Sequence, residues 1–324
     1  MDVKKLLKMN KTIQIIGKKY YIFKQFRKDA KDFSRYFCKS SDKNEISYSI
    51  MLLVHSLEKG MCFSEPRKFG DEKVLLLMNY LKGYLCTDFD RYEYKLGISV
   101  LYAWLDFYKK QGWEQDSIQS NVTVFLQERP RPLDVISGAK EYIPRKNDNL
   151  ENFYFEFLSR HSVRDFQNRN IEFDDIKFAL RCFVDTPTAC NRQMCRIIYI
   201  NKPELKNLLD NIIIGIPGFN KGVVQYFVIT YDLAAFMYSG ERQQGMFNAG
   251  LCTMNFINGL HAKGIGSCCL QWSNKDKEDE MVRNKLELRD SERIGVIIGA
   301  GYYLDKNIIP CSVRRNPEDI YRVV

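Results

Sequence analysis

Arg160-His161-Ser162-Val163-Arg164 opens the second half of the chain, and Arg314-Arg315 answers it near the end. Guanidinium forks match phosphate oxygens geometrically. Two cationic clusters about 150 residues apart point to one anion held between the beginning and the end of a single domain. Arg160 and Arg164 are four apart and Ser162 adds a hydroxyl, so a loop here can offer one phosphate several donors. Basic pentapeptides are also common on solvated surfaces, and taken alone this one decides nothing.

The 324 residues, 45% of them hydrophobic, are enough for a substantial core in one large domain or two ordinary ones. No apolar run approaches the ~20 residues that span a bilayer, and the N-terminus lacks the apolar stretch and cleavage site of a secretion signal. A soluble, cytoplasmic protein is expected. Ten cysteines without a CxxC pair, Cys268-Cys269 among them, fit reduced thiols. His55, His161 and His261 sit at no metal-ligand spacing, so no metal is expected; no nucleic-acid partner is expected either. Residues 1–40 hold 12 Lys and Arg against 3 Asp and Glu, an excess equal to the whole chain's net charge of +9. With Tyr20, Tyr21, Phe23 and Phe26 this basic amphipathic segment suits a peripheral membrane contact on an anionic surface, or an acidic protein partner. A solvated helix face with snorkelling lysines is the plainer alternative.

From Ile13 to about Leu126 apolar residues recur at helical spacing, with breakers at Gly60, Pro66, Gly70, Gly83 and Gly112. His55-Ser56-Leu57-Glu58-Lys59-Gly60 ends one such helix; Gly60 fits the left-handed residue after a helix and Lys59 its last turn. Arg129-Pro130-Arg131-Pro132 and the polar stretch 144–149 bracket a connection, which places a domain boundary near 150: a helical extension over 1–150 and a second domain over 151–324. Beyond it the expected order is a short helix 153–158, helix 173–184, strand 196–200, helix 203–211 begun by Pro203, strand 223–231, a long helix 241–263, strand 265–272, helix 275–287 and strand 294–300. Gly245, Ala249, Gly250 and Gly259 give the long helix a small-residue face that another backbone can approach closely, within the chain or across a subunit interface. This irregular mixture argues an α+β fold. Thr186 to Gln193 reads as a polar turn whose hydroxyls and amides could pair with the edge of a heterocycle.

Five stretches together carry a resemblance: Arg160 to Phe166, Pro187 to Gln193, Gly240 to Gly245 leading to Asn248-Ala249-Gly250-Leu251, Gly264 to Cys268, and Pro310 to Arg315. Their order resembles the FMN-dependent nitroreductase family over about 153–324. The first half, with its HSLEKG motif, is similar to the N-terminal extension of nitroreductase-like proteins found in bacterial cell-surface polysaccharide clusters.

The resemblance implies a central, mostly antiparallel sheet flanked by helices, FMN as cofactor, and a homodimer around the long helix with two sites at its interface. By that resemblance Arg160, His161 and Ser162 fall at the FMN phosphate and ribityl chain, Arg314 and Arg315 complete the phosphate site, and Arg164 faces N1 and O2 of the ring. Pro187, Thr188, Ala189, Asn191 and Gln193 belong to a segment reaching FMN from the other subunit, and Leu270 and Gln271 lie near N5 and O4. Met194 and Cys195 stand where the family commonly has Pro and Trp, which leaves the pocket's shape open. The implied reaction passes hydride from NAD(P)H through the flavin to a small-molecule acceptor, with no catalytic acid or base required of the protein. With no GxGxxG after a strand, the nicotinamide would be a transient visitor. Readings kept beside it are use of the flavin as a substrate, dehalogenation, an oxidative reaction, and a non-catalytic flavin-fold dimer acting as a scaffold.

Overall fold

The computed structural model describes residues 11–36, 43–63, 65–83, 91–113, 116–141, 150–153, 157, 159–213, 219, 224–270, 272, 276–310, 312, 314 and 316–324. Among the described residues five helices come first: α1 (Lys11–Tyr36), α2 (Lys43–Gly60), α3 (Asp71–Gly83), α4 (Tyr92–Lys110) and α5 (Ser117–Leu126). After them run α6 (Phe173–Val184), β1 (Cys195–Ile200), α7 (Pro203–Ile212), β2 (Gln225–Asp232), α8 (Gln244–Ala262), β3 (Ile265–Leu270), α9 (Asp276–Lys285) and β4 (Glu292–Tyr302). The expected helix 153–158 lies largely outside the described residues. The strand expected to reach Trp272 ends at Leu270.

The strands form one sheet in the order β1-β2-β4-β3, every ladder antiparallel. Alternate residues of a strand face opposite sides, and here both sides are apolar. Tyr226 and Val228 of β2 join Ile294 and Ile297 of β4 and Leu209 of α7 in one core, while Phe227 and Ile229 join Ile298 and Ala300 with α6 and α8 on the other side. The register slips between Ile229 and Thr230, which pair with Val296 and Ile294 and leave Gly295 as the extra residue of a bulge. A Cβ on Gly295 would lie 2.9 Å from that of Ala249, so the bulge lets α8 settle on the sheet. The fold is thus α+β, with helices on both faces of an antiparallel sheet and a helical region before it.

The third core belongs to the helical region and does not stop there. Trp104, Tyr108, Leu57 and Leu77 pack with Met194 and with Leu233 to Phe236, which lie side by side at one end of the β1-β2 pair. Asp116 caps α5 by accepting the Ile118 and Gln119 N–H groups at 3.0 Å each. The HSLEKG stretch has a different logic from capping. Gly60 stays inside α2 and outside the left-handed region, and its missing side chain makes room for Phe69, whose ring would lie 2.1 Å from a Cβ there. Glu58 accepts hydrogen bonds from Ser137 Oγ at 2.8 Å and Gly138 N at 3.4 Å, tying the loop after α5 to the end of α2.

Arg192 lies at the seam of the two regions, beside Met194 and Ala235 of the helical core. Its side chain has 0% exposure and is hydrogen-bonded to the Ala189 carbonyl at 3.0 Å, the Ala235 carbonyl at 2.5 Å and both carboxylate oxygens of Glu241. Burial works to raise the Glu241 carboxyl, but Arg192 and the Met237 and Tyr238 N–H groups outweigh it, and the group is held below its ordinary value of 4.5.

Three outcomes are expected. Gly259→Ala should lose about 1–3 kcal/mol in denaturant unfolding in spite of alanine's better helix propensity, because the new Cβ would sit 2.7 Å from the Ala179 backbone of α6. Arg192→Ala should cost a few kcal/mol, at about 1–3 kcal/mol for each polar group left without its partner, because the buried Ala235 carbonyl and the half-buried Glu241 carboxylate both lose the guanidinium. A depressed carboxyl contributes stability above its unfolded value and loses it as pH falls through the folded one. The Arg192–Glu241 contribution is therefore complete above about pH 4.5 and lost in more acid solution, and Glu241→Gln should flatten that part of the stability profile.

Candidate functional site

Residues 160–167 run along the outer edge of β3 and across the end of β4. Val163 N donates to the Ser267 carbonyl at 3.1 Å, inside an isolated parallel bridge between Ser162 and Ser267, and Gln167 N donates to the Tyr302 carbonyl at 3.0 Å. Val163 and Phe166 are buried at 2% and 3% exposure. Two glycines permit this approach. A Cβ on Gly301 would lie 2.5 Å from Phe166, and one on Gly266 would lie 3.3 Å from Val163 and 2.9 Å from the Tyr303 ring. In extended backbone alternate residues share a side, so with Val163 turned inward the spacing Arg-x-Ser-x-Arg sets Arg160, Ser162 and Arg164 on the opposite one. Arg160 and Ser162 are half-buried, while His161 and Arg164 are exposed.

Arg160 lies among groups that sequence reasoning did not assign. Burial and Cys268 push the Cys269 thiol up with Arg160 opposing, and burial raises Tyr303 with Arg160 opposing again. Tyr303 OH is hydrogen-bonded to His261 Nδ1 at 2.9 Å, and His261 Nε2 to Ser159 Oγ at 3.1 Å. A relay from Ser159 through His261 to Tyr303 thus passes beside Arg160. The sequence signal was thin: Ser159 adjoins the arginine, and His261 occupies the last turn of α8. Among the described residues, five buried side-chain polar atoms lack a hydrogen-bond partner, and two of them, Arg160 Nε and Ser267 Oγ, sit beside this bridge.

The turn 187–193 lies elsewhere, at the entrance to β1. Ala189 N donates to Asn248 Oδ1 of α8 at 2.9 Å, Asn191 N to the Thr188 carbonyl at 2.9 Å and Gln193 N to Thr188 Oγ1 at 3.0 Å. Cys190, Asn191 and Gln193 have φ of 52°, 50° and 49°. Asn tolerates this left-handed region, whereas Cys and Gln are strained there. Arg192, clamped between them, holds the strain in place. Pro187 and Asn191 are exposed, and Thr188, Ala189 and Gln193 are half-buried. Met194 is fully buried in the helical core, and Cys195 turns to the thiol of Cys252, which together with burial pushes Cys195 up.

The 160–164 segment adjoins β3 and the 187–193 turn leads into β1, the two outer strands of the sheet. Three strand spacings, roughly 14 Å, separate those edges. Leu270 is buried at the end of β3. Arg314 is exposed and bonds the Ser312 carbonyl of its own turn. Gln271 and Arg315 lie outside the described residues.

Residues 158–302 match the family model described as the nitroreductase family. Among solved structures, a nitroreductase family protein from Streptococcus pneumoniae is 21% identical, with 53% of this chain and 100% of that one covered at a TM-score of 0.45. An FMN-dependent nitroreductase from Clostridium difficile is 19% identical over 51% of this chain and 92% of that one, with a TM-score of 0.41. A nitroreductase family protein from Clostridium novyi is 16% identical over 47% of this chain and 86% of that one, with a TM-score of 0.42. No curated protein matches the chain. The segment that the nitroreductase family model matches, a little under half of the chain, is the one that folds into the sheet, lays the Arg160 loop against β3 and carries the strained turn.

Proposed function

We propose that the protein is an FMN-dependent oxidoreductase that takes reducing equivalents from NAD(P)H and delivers them to a small-molecule acceptor such as a nitro compound or a quinone. One observation carries the reading: Arg160 Nε and Ser267 Oγ are buried without partners at the edge of β3. An unpaired buried donor costs about 1–3 kcal/mol, so a ligand rich in acceptor oxygens is stabilised at that place. A phosphate or ribityl chain is such a ligand, and to that extent the residues fit FMN.

On this reading Arg160, His161 and Ser162, with Arg314 and Arg315, hold the phosphate and ribityl portion, and Leu270 and Gln271 border the ring. Arg164 presents a fixed cation where negative charge gathers on reduction. Pro187, Thr188, Ala189, Asn191 and Gln193 come from a second copy of the chain. Support for a homodimer comes from the sheet, because one copy holds the turn and the Arg160 loop at opposite edges. When bound, FMN supplies hydride acceptance and donation at N5. The side chains bind, orient and set the local charge, and none is assigned as an acid or base.

Purified protein should carry flavin absorbance, bleach with NADH or NADPH, and recover on addition of a quinone or nitroaromatic; colourless protein that binds no added FMN overturns the reading. Arg160→Ala should weaken FMN binding about 10- to 100-fold, the loss of about 1.5–3 kcal/mol that a charge-assisted hydrogen bond represents. Arg164→Ala should leave affinity largely intact and lower the flavin's reduction potential. Equal effects of both variants on both properties would refute this division of roles.

A further inference from the structure

The first half of α1 is built to lie on a surface. Ile13, Ile15, Ile16, Tyr20, Tyr21, Ile22, Phe23 and Phe26 are all exposed, from 42% at Ile13 to 69% at Phe26. At 100° per residue, Ile15, Ile16, Ile22, Phe23, Phe26, Ala30 and Phe33 fall on one face of the helix. That face is already in use at its far end. Phe33 stacks on Phe236 with ring centroids 6.2 Å apart, and Tyr36 packs against the helical core. Ion pairs fasten the same end, Lys28 to Asp276 at 2.9 Å and Asp32 to Arg293 at 2.8 Å. The apolar stripe thus continues from a formed interface out along the helix, where nothing among the described residues covers it.

Charge chooses among possible occupants. Residues 11–28 contain six Lys and Arg and no Asp or Glu. Pairing this face with a second copy would bring two such segments together, and like charges at that range repel. A negatively charged surface meets the complementary requirement. On the wheel Lys18 and Arg27 flank the apolar face, which lets their stems lie along apolar material while the charges reach outward. No helix among the described residues is long and apolar enough to cross a membrane, so the geometry is that of a helix lying in an interface. Tyr20, next to Arg27 at the margin of the face and apolar with a polar tip, suits the level of lipid headgroups.

We propose that α1 docks this protein on an anionic lipid bilayer, with Ile16, Phe23 and Phe26 inserted among the acyl chains, Lys18 and Arg27 set at the headgroups beside that face, and Lys19, which falls within it, reaching the headgroups along its own stem. Binding combines apolar insertion with about 1 kcal/mol per basic residue near an anionic surface, so it requires both parts.

Vesicle flotation of the full-length protein tests this. The protein should float with phosphatidylcholine vesicles containing phosphatidylglycerol and remain behind with phosphatidylcholine alone, and raising the salt severalfold should release it. Phe23→Ser with Phe26→Ser should reduce the partition coefficient at least tenfold, as expected for two exposed aromatic anchors. Lys18→Gln with Lys19→Gln should reduce it roughly tenfold or more. Both variants alter exposed residues, so circular dichroism and flavin content should match the unsubstituted protein. Failure to float with anionic vesicles overturns the proposal. So does flotation insensitive to both variants, or a self-association in lipid-free solution that Phe23→Ser with Phe26→Ser abolishes.

Discussion

A guanidinium sealed from solvent is the constraint on which the rest of this molecule depends. Arg192 reaches the Ala189 and Ala235 carbonyls and Glu241 at once, and so fixes three pieces of chain that arrive from different directions. The turn before β1, the segment leaving β2 and the approach to α8 all end on it. Without a carboxylate beside it a buried arginine would be prohibitively costly, and Glu241 offsets that cost by direct pairing. The same clamp stands at the seam where Met194 and Leu233 to Phe236 enter the core of the N-terminal helices. The helical region and the sheet therefore share packing, and changes at the seam reach both.

The strain next to Arg192 follows from this arrangement. Three residues in the left-handed region among four consecutive positions would relax in an isolated peptide. They persist because Asn248 holds Ala189 N from one side and Arg192 draws the chain inward from the other. At the far edge of the sheet the opposite device operates: Gly266 and Gly301 remove side chains so that Val163 and Phe166 can press flat. One edge gains shape from an ion pair and the other from the absence of Cβ atoms. The donors of Arg160 and Ser267 are left at the second.

Much of this was legible in the sequence where the physics is local. The strands were readable to within about two residues because runs such as Arg196 to Ile200 are β-branched and aromatic, and α8 because Gly264 closes it. The glycine at the end of HSLEKG was not readable in that way. A glycine there serves either a left-handed turn or a close neighbour, and only the position of Phe69 decides. The burial of Arg192 was hidden in a polar turn, since its partners lie 43 and 49 residues away. Ser159, His261 and Tyr303 escaped for the same reason: their contacts span 102 and 42 residues, and no periodicity encodes them.

The attachment of α1 can be weighed by the same reasoning. Its two ion pairs are partly exposed, with Lys28 and Asp276 at 35% and 36%, and surface pairs of this kind contribute about 0–1 kcal/mol. The aromatic contacts count for more, because Phe33 on Phe236 and Tyr36 against the core remove apolar surface from water at about 25 cal/mol per Å². Phe236 directly follows Ala235, whose carbonyl Arg192 holds. The helix is therefore anchored one residue from the clamp that organises the seam, and not on a loose loop. A load on α1 therefore reaches the turn 187–193 through Phe236 and its neighbour Ala235, and reaches the sheet through Arg293 of β4.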